Sequence, residues 1–471
     1  MKTECTAVGI EFKGLGRRKV QGFFDGGHLS SDGGAVLLRE VDARLGITEK
    51  LASCFTDHRA PDLIEHRVLD LVRQRVYGIA LGYEDLNDHD DLKWDPLLAL
   101  ALGKDDVTGT SRRRSADRGK VIASSSTLNR LELTPADADR QSRYKKIVHH
   151  PDKLQSLFVE VFLNAFKRAP QEIVLDFDAT DDPVHGDQEG KFFHGYYRCY
   201  CYLPLYVTCG DHLLVAKLRS SNRDAADGST AVLAALVARI RERWPAVRII
   251  VRGDSGFARD GIMAWCESHR VYYLLGLARN ERLLQIIGPE HVQARERYEQ
   301  NGHASRVFAH FEYRTRTSWS RARRVIAKAE HLPKGTNPRF LVTNLPDDYA
   351  EPQTLYEKHY CARGDMENRI KEQQLDLFAD RTSTGSLRAN QLRVWFSSVA
   401  YLLLSALRRI ALKGTRMAHA TCGRIRLKLL KIGAHIKLSV RRIRIRFASA
   451  CPYQDVFAHA RRNLQPYPLR C

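Results

Sequence analysis

At 471 residues, with 44% hydrophobic and 28% charged side chains, the chain describes a folded protein of two to four domains and excludes a disordered one. A formal net charge of +20 points to a polyanionic partner, nucleic acid ahead of an anionic membrane surface. Ten scattered cysteines with no C-x-x-C pair argue against a zinc site or a disulfide framework, and the opening MKTECTAVGIEFKG lacks a signal-peptide core, so the expected location is the cytoplasm or nucleoid.

Residues 1–165 read as a mostly helical N-terminal DNA-binding domain. Apolar residues recur at three- and four-residue intervals over 35–45, 62–82, 95–102 and 152–169. In the last of these, Leu154, Leu157, Phe158, Val161, Phe162 and Ala165 form one stripe. Between them SRRRSADRGK (111–120) is a basic segment, read either as a solvated loop or as a contact to DNA backbone.

The pattern switches in 166–280. Strand-like segments at 173–178, 199–208 and 212–218 precede a helix from Ser229, a strand at 247–251, a short helix at 258–269 and another strand at 271–277. Strands feeding helices predict an α/β core. Within it, IVLDFDATDD (173–182) runs four apolar residues into carboxylates. Asp176 and Asp178 are two apart, so on a strand they point to one side. Carboxylates ending a buried strand are costly unless paired, and a divalent metal is a common partner; the plainer reading is a strand end entering a turn, with Asp181 and Asp182 serving that turn. Asp254 follows the strand at 247–251 in a Gly-Asp-Ser-Gly turn, at the carboxyl end where ligands gather in such sheets.

Residues 281–350 predict a β-rich insertion, strongly basic in its middle. In 351–415, Thr354 to Glu357 fits a capping box opening a long helix. Projected at about 100° per residue, Tyr360, Arg363, Glu367, Lys371 and Gln374 share one face, which suits a phosphate-lined cleft as well as a solvated stripe. The apolar run 394–407 spans 14 residues between Arg393 and Arg408 and reads as a buried helix, not a membrane span. Residues 416–471 read as a basic DNA-binding or dimerisation region. From 381 to 454 there is no Asp or Glu and there are 16 Lys and Arg. Basic and apolar residues alternate around Gly433, predicting a hairpin with Arg442, Arg444 and Arg446 on one face and Ile443, Ile445 and Phe447 on the other.

Three separated carboxylates in a basic chain suit two-metal phosphoryl chemistry. With these blocks in view, the chain resembles bacterial insertion-sequence transposases of the DDE type. LSSDGGAVLLREVD, LDFDATDDPVHGDQEG, NRDAADGS, VRGDSGFARD and YCARGDMENRIKEQQLDLF carry the resemblance. It implies a ribonuclease H-like mixed sheet flanked by helices, within which 166–280 and 351–415 form the two parts of the catalytic core, interrupted by the β-rich insertion of the Tyr-Arg-Glu-Lys signature branch. It also implies catalytic and metal-ligating roles for Asp178 (of a D-x-T), Asp254 and Glu367, with Tyr360 and Arg363 in the signature. The final Lys of that signature is expected where this chain has Gln374; Lys371, on the same face one turn earlier, is its candidate substitute. Asp176 stays open as an alternative first ligand.

What the resemblance further implies is a Mg²⁺-dependent enzyme with two ions per site, for which Mn²⁺ can substitute. It would cut the terminal inverted repeats of its own element and join the freed 3′-OH to target DNA, as a homodimer on double-stranded DNA and without a membrane. Tyr360, Arg363 and Lys371 would contact phosphate. Trp319, the one Trp of the insertion, would hold a flipped base by analogy with related enzymes, against the alternative of a buried sheet residue. Two other readings remain: a sequence-specific DNA-binding protein of transposase descent that no longer cuts, and a Mg²⁺-dependent nuclease without strand transfer.

Overall fold

The structure is a computed structural model and describes residues 9–465. The chain folds as two compact units: residues up to 149 together with those from 399 onward, and residues 150–398.

The second unit is built on a nine-stranded mixed sheet. Its strands along the chain are β1 (Glu172–Ala179), β2 (Leu205–Cys209), β3 (His212–Lys217), β4 (Arg248–Gly253), β5 (Tyr272–Leu277), β6 (Ser305–Tyr313), β7 (Arg323–Leu332) and β8 (Arg339–Thr343), with the short Gly335–Thr336 beside β7. The order is β3-β2-β1-β4-β5-β8-β7-β6. β1, β4 and β5 are mutually parallel, while β2 and β3 form an antiparallel hairpin against β1. The first five strands thus lie in the ribonuclease H-like order, and the mixed α/β class expected from the sequence holds. The insertion adds its three strands antiparallel to the same sheet beyond β5 instead of forming a separate β module. It also carries two helices, Glu281–Ile286 and Gly288–Asn301, and Leu283 and Ile287 share one core with Val325, Ala327 and Ala329.

Alternation along the parallel strands gives the sheet two unlike faces. Ile173, Leu175 and Phe177 of β1, Ile249 and Val251 of β4, and Tyr273 and Leu275 of β5 are buried in one large cluster. The helices Pro151–Asn164, Ser229–Arg243 and Asp260–Ser268 contribute Phe162, Leu236 and Met263 to it. Full burial of each such side chain contributes about 1.5–3 kcal/mol. On the opposite face Val174, Ile250 and Leu274 join a smaller cluster with Leu355, Tyr356 and Tyr360. Two residues further along β1 and β4 that face turns polar, which positions the site described below.

Three local expectations differ. The segment 199–208 is not one strand: Pro204 lacks an N–H, and Cys199–Tyr202 pairs with Phe192–His194 and Asp182–Pro183 in a small separate sheet. The helix after 350 starts at Pro352, with Glu351 before it, so the capping box at Thr354 does not form. That helical stretch then widens into π turns at Leu355–Tyr360 and Glu372–Asp376, around a 3-10 turn and the α-helix Gly364–Lys371. A uniform 100° projection therefore misplaces its ends.

In the first unit the helices Ala35–Leu45, Val68–Leu81, Pro96–Leu102 and Ser125–Glu132 form a helical core. The two end segments of the chain, separate in the sequence reading, meet within it. Gly33 and Gly34 N–H donate to the carbonyls of Ile432 and Leu430, and a Cβ on Gly34 would sit 1.9 Å from the Leu429 oxygen. Asp32 accepts from Tyr83 Oη at 2.6 Å and pairs with Lys431 Nζ at 2.7 Å, so the SSDGG run is a joint between distant segments. The predicted basic hairpin is present as Ala434–Ser439 paired with Arg442–Phe447, turning at Val440 and Arg441 and not at Gly433. Residues before it are helical (Cys422–Ile425, then Arg426–Leu430), because Cys422, Ile425 and Leu429 bury at helical spacing and Thr421 caps Arg424 N–H. The apolar run 394–407 falls in the helix Leu387–Ala406 and its continuation, and is largely buried.

Candidate active site

Asp178 and Asp254 owe their proximity to register. β1 and β4 run parallel with Arg252 opposite Asp176 and Gly253 opposite Phe177. The backbone is still extended at Asp254, so one further step sets Asp254 across from Asp178, on the same face and at the carboxyl ends of both strands. Asp254 Oδ1 also accepts from Gly256 N–H at 2.8 Å, which fixes the turn after β4.

Glu367 comes from the helix Gly364–Lys371, and Arg363 links it to the strands. Arg363 Nη2 donates to Glu367 Oε1 at 2.6 Å, and its Nη1 lies 3.6 Å from Asp178 Oδ2. One guanidinium therefore bridges Asp178 and Glu367; burial opposes its charge, but Asp178, then Tyr360, Glu367 and Asp254 together outweigh burial and raise its pKa. Asp178 is itself pushed up to about 7, by burial first, with Arg363 opposing and the carboxylates of Asp254 and Glu367 adding. Tyr360 reaches the same corner. A Cβ on Gly276 of β5 would lie 2.6 Å from Tyr360 Oη, so glycine there is what admits the ring.

Asp176 is occupied otherwise. It is 3% exposed and takes a bidentate pair from Arg252, whose Nη2 reaches Oδ2 at 2.7 Å. Arg252 also donates to the His359 carbonyl, so this pair joins β1, β4 and the helical stretch that carries Glu367. Nothing in the residue types alone announces that pair; its signal is the matching spacing of Asp176–Asp178 and Arg252–Asp254 on neighbouring strands.

The other predicted residues scatter. Lys371 is exposed on the Glu367 helix. Gln374, at the place of the expected Lys, donates to the Asp181 carbonyl at 3.0 Å and so has a structural partner. Asp182 is buried and accepts from Thr382 Oγ1 at 3.0 Å. Trp319 is 5% exposed, in the connection between β6 and β7, edge-on to Tyr313 with the Arg323 guanidinium over its ring. Arg442, Arg444 and Arg446 lie exposed on the hairpin of the other unit.

As placed, no three His, Cys, Asp or Glu side chains among the described residues stand close enough to hold a metal ion. The donor set nevertheless fits one. Asp178, Asp254 and Glu367 supply hard carboxylate oxygens, and Arg363 pairs with two of them.

Comparison with curated proteins finds no significant match. Among solved structures, the cryo-EM structure of a piggyBac transposase synaptic complex with hairpin DNA is similar at a TM-score of 0.39 and 10% identity, over 93% of this chain and 83% of that one. The family profile described as transposase DDE domain group 1 matches residues 12–469, nearly the whole chain, and the protein belongs to that transposase family.

Proposed function

We propose that the protein cuts the ends of its own mobile element and joins the 3′-OH to target DNA, a cut-and-paste reaction on double-stranded DNA. One observation carries this reading: two carboxylates end adjacent parallel strands, and Arg363 links one of them, Asp178, to a third on a helix. Asp178, Asp254 and Glu367 would hold two Mg²⁺ ions, with Mn²⁺ as a substitute. When bound, such ions activate the attacking oxygen and stabilise the leaving one. Arg363, freed from its internal pairs, presents its fork to phosphate beside the scissile bond, while Tyr360 borders a pocket with Asp254, Arg279 and Arg339. Lys371 extends the cationic surface along the helix. Arg442, Arg444 and Arg446 grip DNA backbone. The net charge of +20 supports a DNA partner, and two copies on two element ends, working on the nucleoid, complete the reading.

The deciding experiment offers a labelled element end with Mg²⁺ to the wild type and to Glu367→Gln, and resolves nicked, hairpin and joined products. The variant is expected to bind DNA with unchanged affinity and to cleave at least about a thousandfold more slowly, the scale of a lost electrostatic group. Full cleavage by the variant removes Glu367 from the site. Wild-type binding without any cleavage favours a non-cutting DNA-binding protein, and nicks that are never joined favour a nuclease.

A further inference from the structure

We propose that the aromatic hairpin formed by Phe192–His194 and Cys199–Tyr202 is a stacking platform for unpaired nucleobases of the DNA strand held at the acids. This rests on the functional reading above.

Its base is rigid. Tyr202 is buried and its hydroxyl donates to the Glu189 carbonyl at 2.8 Å, Asp182 and Pro183 pair with Tyr202 and Cys201, and Ser221 Oγ donates to the Phe192 carbonyl at 2.9 Å. Beyond that base the large side chains face solvent. Phe192 is 43% exposed, Phe193 58%, Tyr196 84% and Tyr200 54%. Phe193 and Tyr200 are cross-strand partners with ring centroids 5.6 Å apart, edge to face, which leaves flat ring surface uncovered. A run of exposed aromatics on a well-anchored hairpin is an interaction surface, because solubility alone disfavours it.

Position and charge select the occupant. The turn between the strands bends back on the site: Tyr197 Oη donates to the Ala179 carbonyl at 3.3 Å, one residue past Asp178. Cations are interleaved with the rings. Lys191 Nζ lies 5.5 Å from the centre of the Tyr200 ring, and Arg198 sits in the turn with φ of 57°. Aromatic faces alternating with cations next to a phosphoryl-transfer site match an extruded or single-stranded segment, whose bases stack while its phosphates meet Lys and Arg. Trp319, the stacking residue suggested by the sequence, is enclosed, whereas these four rings are open.

The probe is a forked DNA duplex of arbitrary sequence with 2-aminopurine in its unpaired arm, alongside a dT oligonucleotide and a blunt duplex, all without metal. Wild type is expected to quench the 2-aminopurine and to bind fork and dT more tightly than blunt duplex. The double variant Phe193→Ala/Tyr196→Ala is expected to lose the quench and about tenfold or more of fork and dT affinity, with blunt-duplex affinity unchanged. Phe193→Trp should retain the quench, which separates ring loss from misfolding. Equal fork binding by wild type and double variant overturns the proposal. So does a fall from dimer to monomer in the double variant without DNA, which would assign the rings to a second copy of the chain. Cleavage is scored separately: quenching without any cleavage sinks the transposition reading alone, and cleavage with an unaltered quench in the double variant sinks only the platform.

Discussion

Arg252→Met tests whether the pair beneath the acids holds the site together. The substitution keeps an unbranched stem but removes the cation from Asp176, which is 3% exposed and faces Arg252 through both carboxylate oxygens. Asp176 is already raised by burial, with Arg252 as the main opposing influence. Leaving such a carboxylate unpaired costs about 3–5 kcal/mol, a large part of a total stability on the order of 5–15 kcal/mol. Urea unfolding should show that loss as a lowered midpoint with an unchanged slope. The double variant Asp176→Leu/Arg252→Met removes both charges, and its stability should return to within about 1–2 kcal/mol of the parent, because an apolar pair fills the same buried space. DNA cleavage should not return with it, since the Arg252 contact to the His359 carbonyl, which ties β1 and β4 to the helical stretch bearing Glu367, is still missing. A loss below about 1 kcal/mol in Arg252→Met, or a double variant no more stable than the single, would refute the reasoning.

Gly276→Ala should lower cleavage on the order of a hundredfold with a stability loss of only about 1–3 kcal/mol, because the new methyl meets Tyr360 Oη at 2.6 Å and Ser255 N at 3.0 Å; kinetics with a pre-bound DNA end would check it. Two buried histidines of the other unit predict acid sensitivity. His89 and His66 are both held down to about 3, chiefly by burial, then by Arg75 for His89 and by Lys104 and Arg112 for His66. The unfolded chain takes up those protons near pH 6.5 and the folded one refuses them. Stability is therefore full above about pH 6.5 and falls by about 1.4 kcal/mol per pH unit per histidine as pH drops toward 3, a slope that His89→Leu should roughly halve in urea titrations at several pH values. Replacing Arg442, Arg444 and Arg446 with Ala should flatten the plot of log affinity against log salt by about three units, and an unchanged slope would detach the hairpin from DNA.

Much of the catalytic unit is legible because period-two alternation is strong there. Ile173, Leu175 and Phe177 announce a buried strand, and the acids after them mark its carboxyl end. The family resemblance then supplies Glu367, which no local pattern singles out. Two kinds of feature escape a linear reading. Pairs such as Asp176–Arg252 depend on strand register, which a one-residue slip would abolish and which the chain displays only when folded. The helix carrying Glu367 escapes for another reason: its π turns break the 100° step, so Gln374 ends against the Asp181 carbonyl instead of beside Lys371. In the basic tail the opposite error arises. Arg424, Arg426 and Lys428 alternate with Ile425, Leu427 and Leu429 as a strand would, yet burial of Cys422, Ile425 and Leu429 and a Thr421 cap select a helix. Alternation over so few residues cannot arbitrate between the two periods.

The two faces of the sheet divide the work between stability and chemistry. Under the helices every inward residue of β1, β4 and β5 is apolar, so that face supplies most of the burial. On the other face polarity rises along the strand direction. Val174 and Ile250 are apolar, Asp176 and Arg252 neutralise each other, and Asp178 and Asp254 stand at the end with only a borrowed cation. A neutral pair midway shields the apolar cluster from the acids beyond it, and keeps their repulsion at the rim where solvent, cations and DNA can answer it. Arg363 is that answer in the free protein. Because it pairs with Asp178 and Glu367 at once, under the proposed function whatever neutralises the acids from outside also releases a guanidinium toward the incoming phosphate. In that proposal charge balance alone couples occupation of the acids to readiness of Arg363 for phosphate.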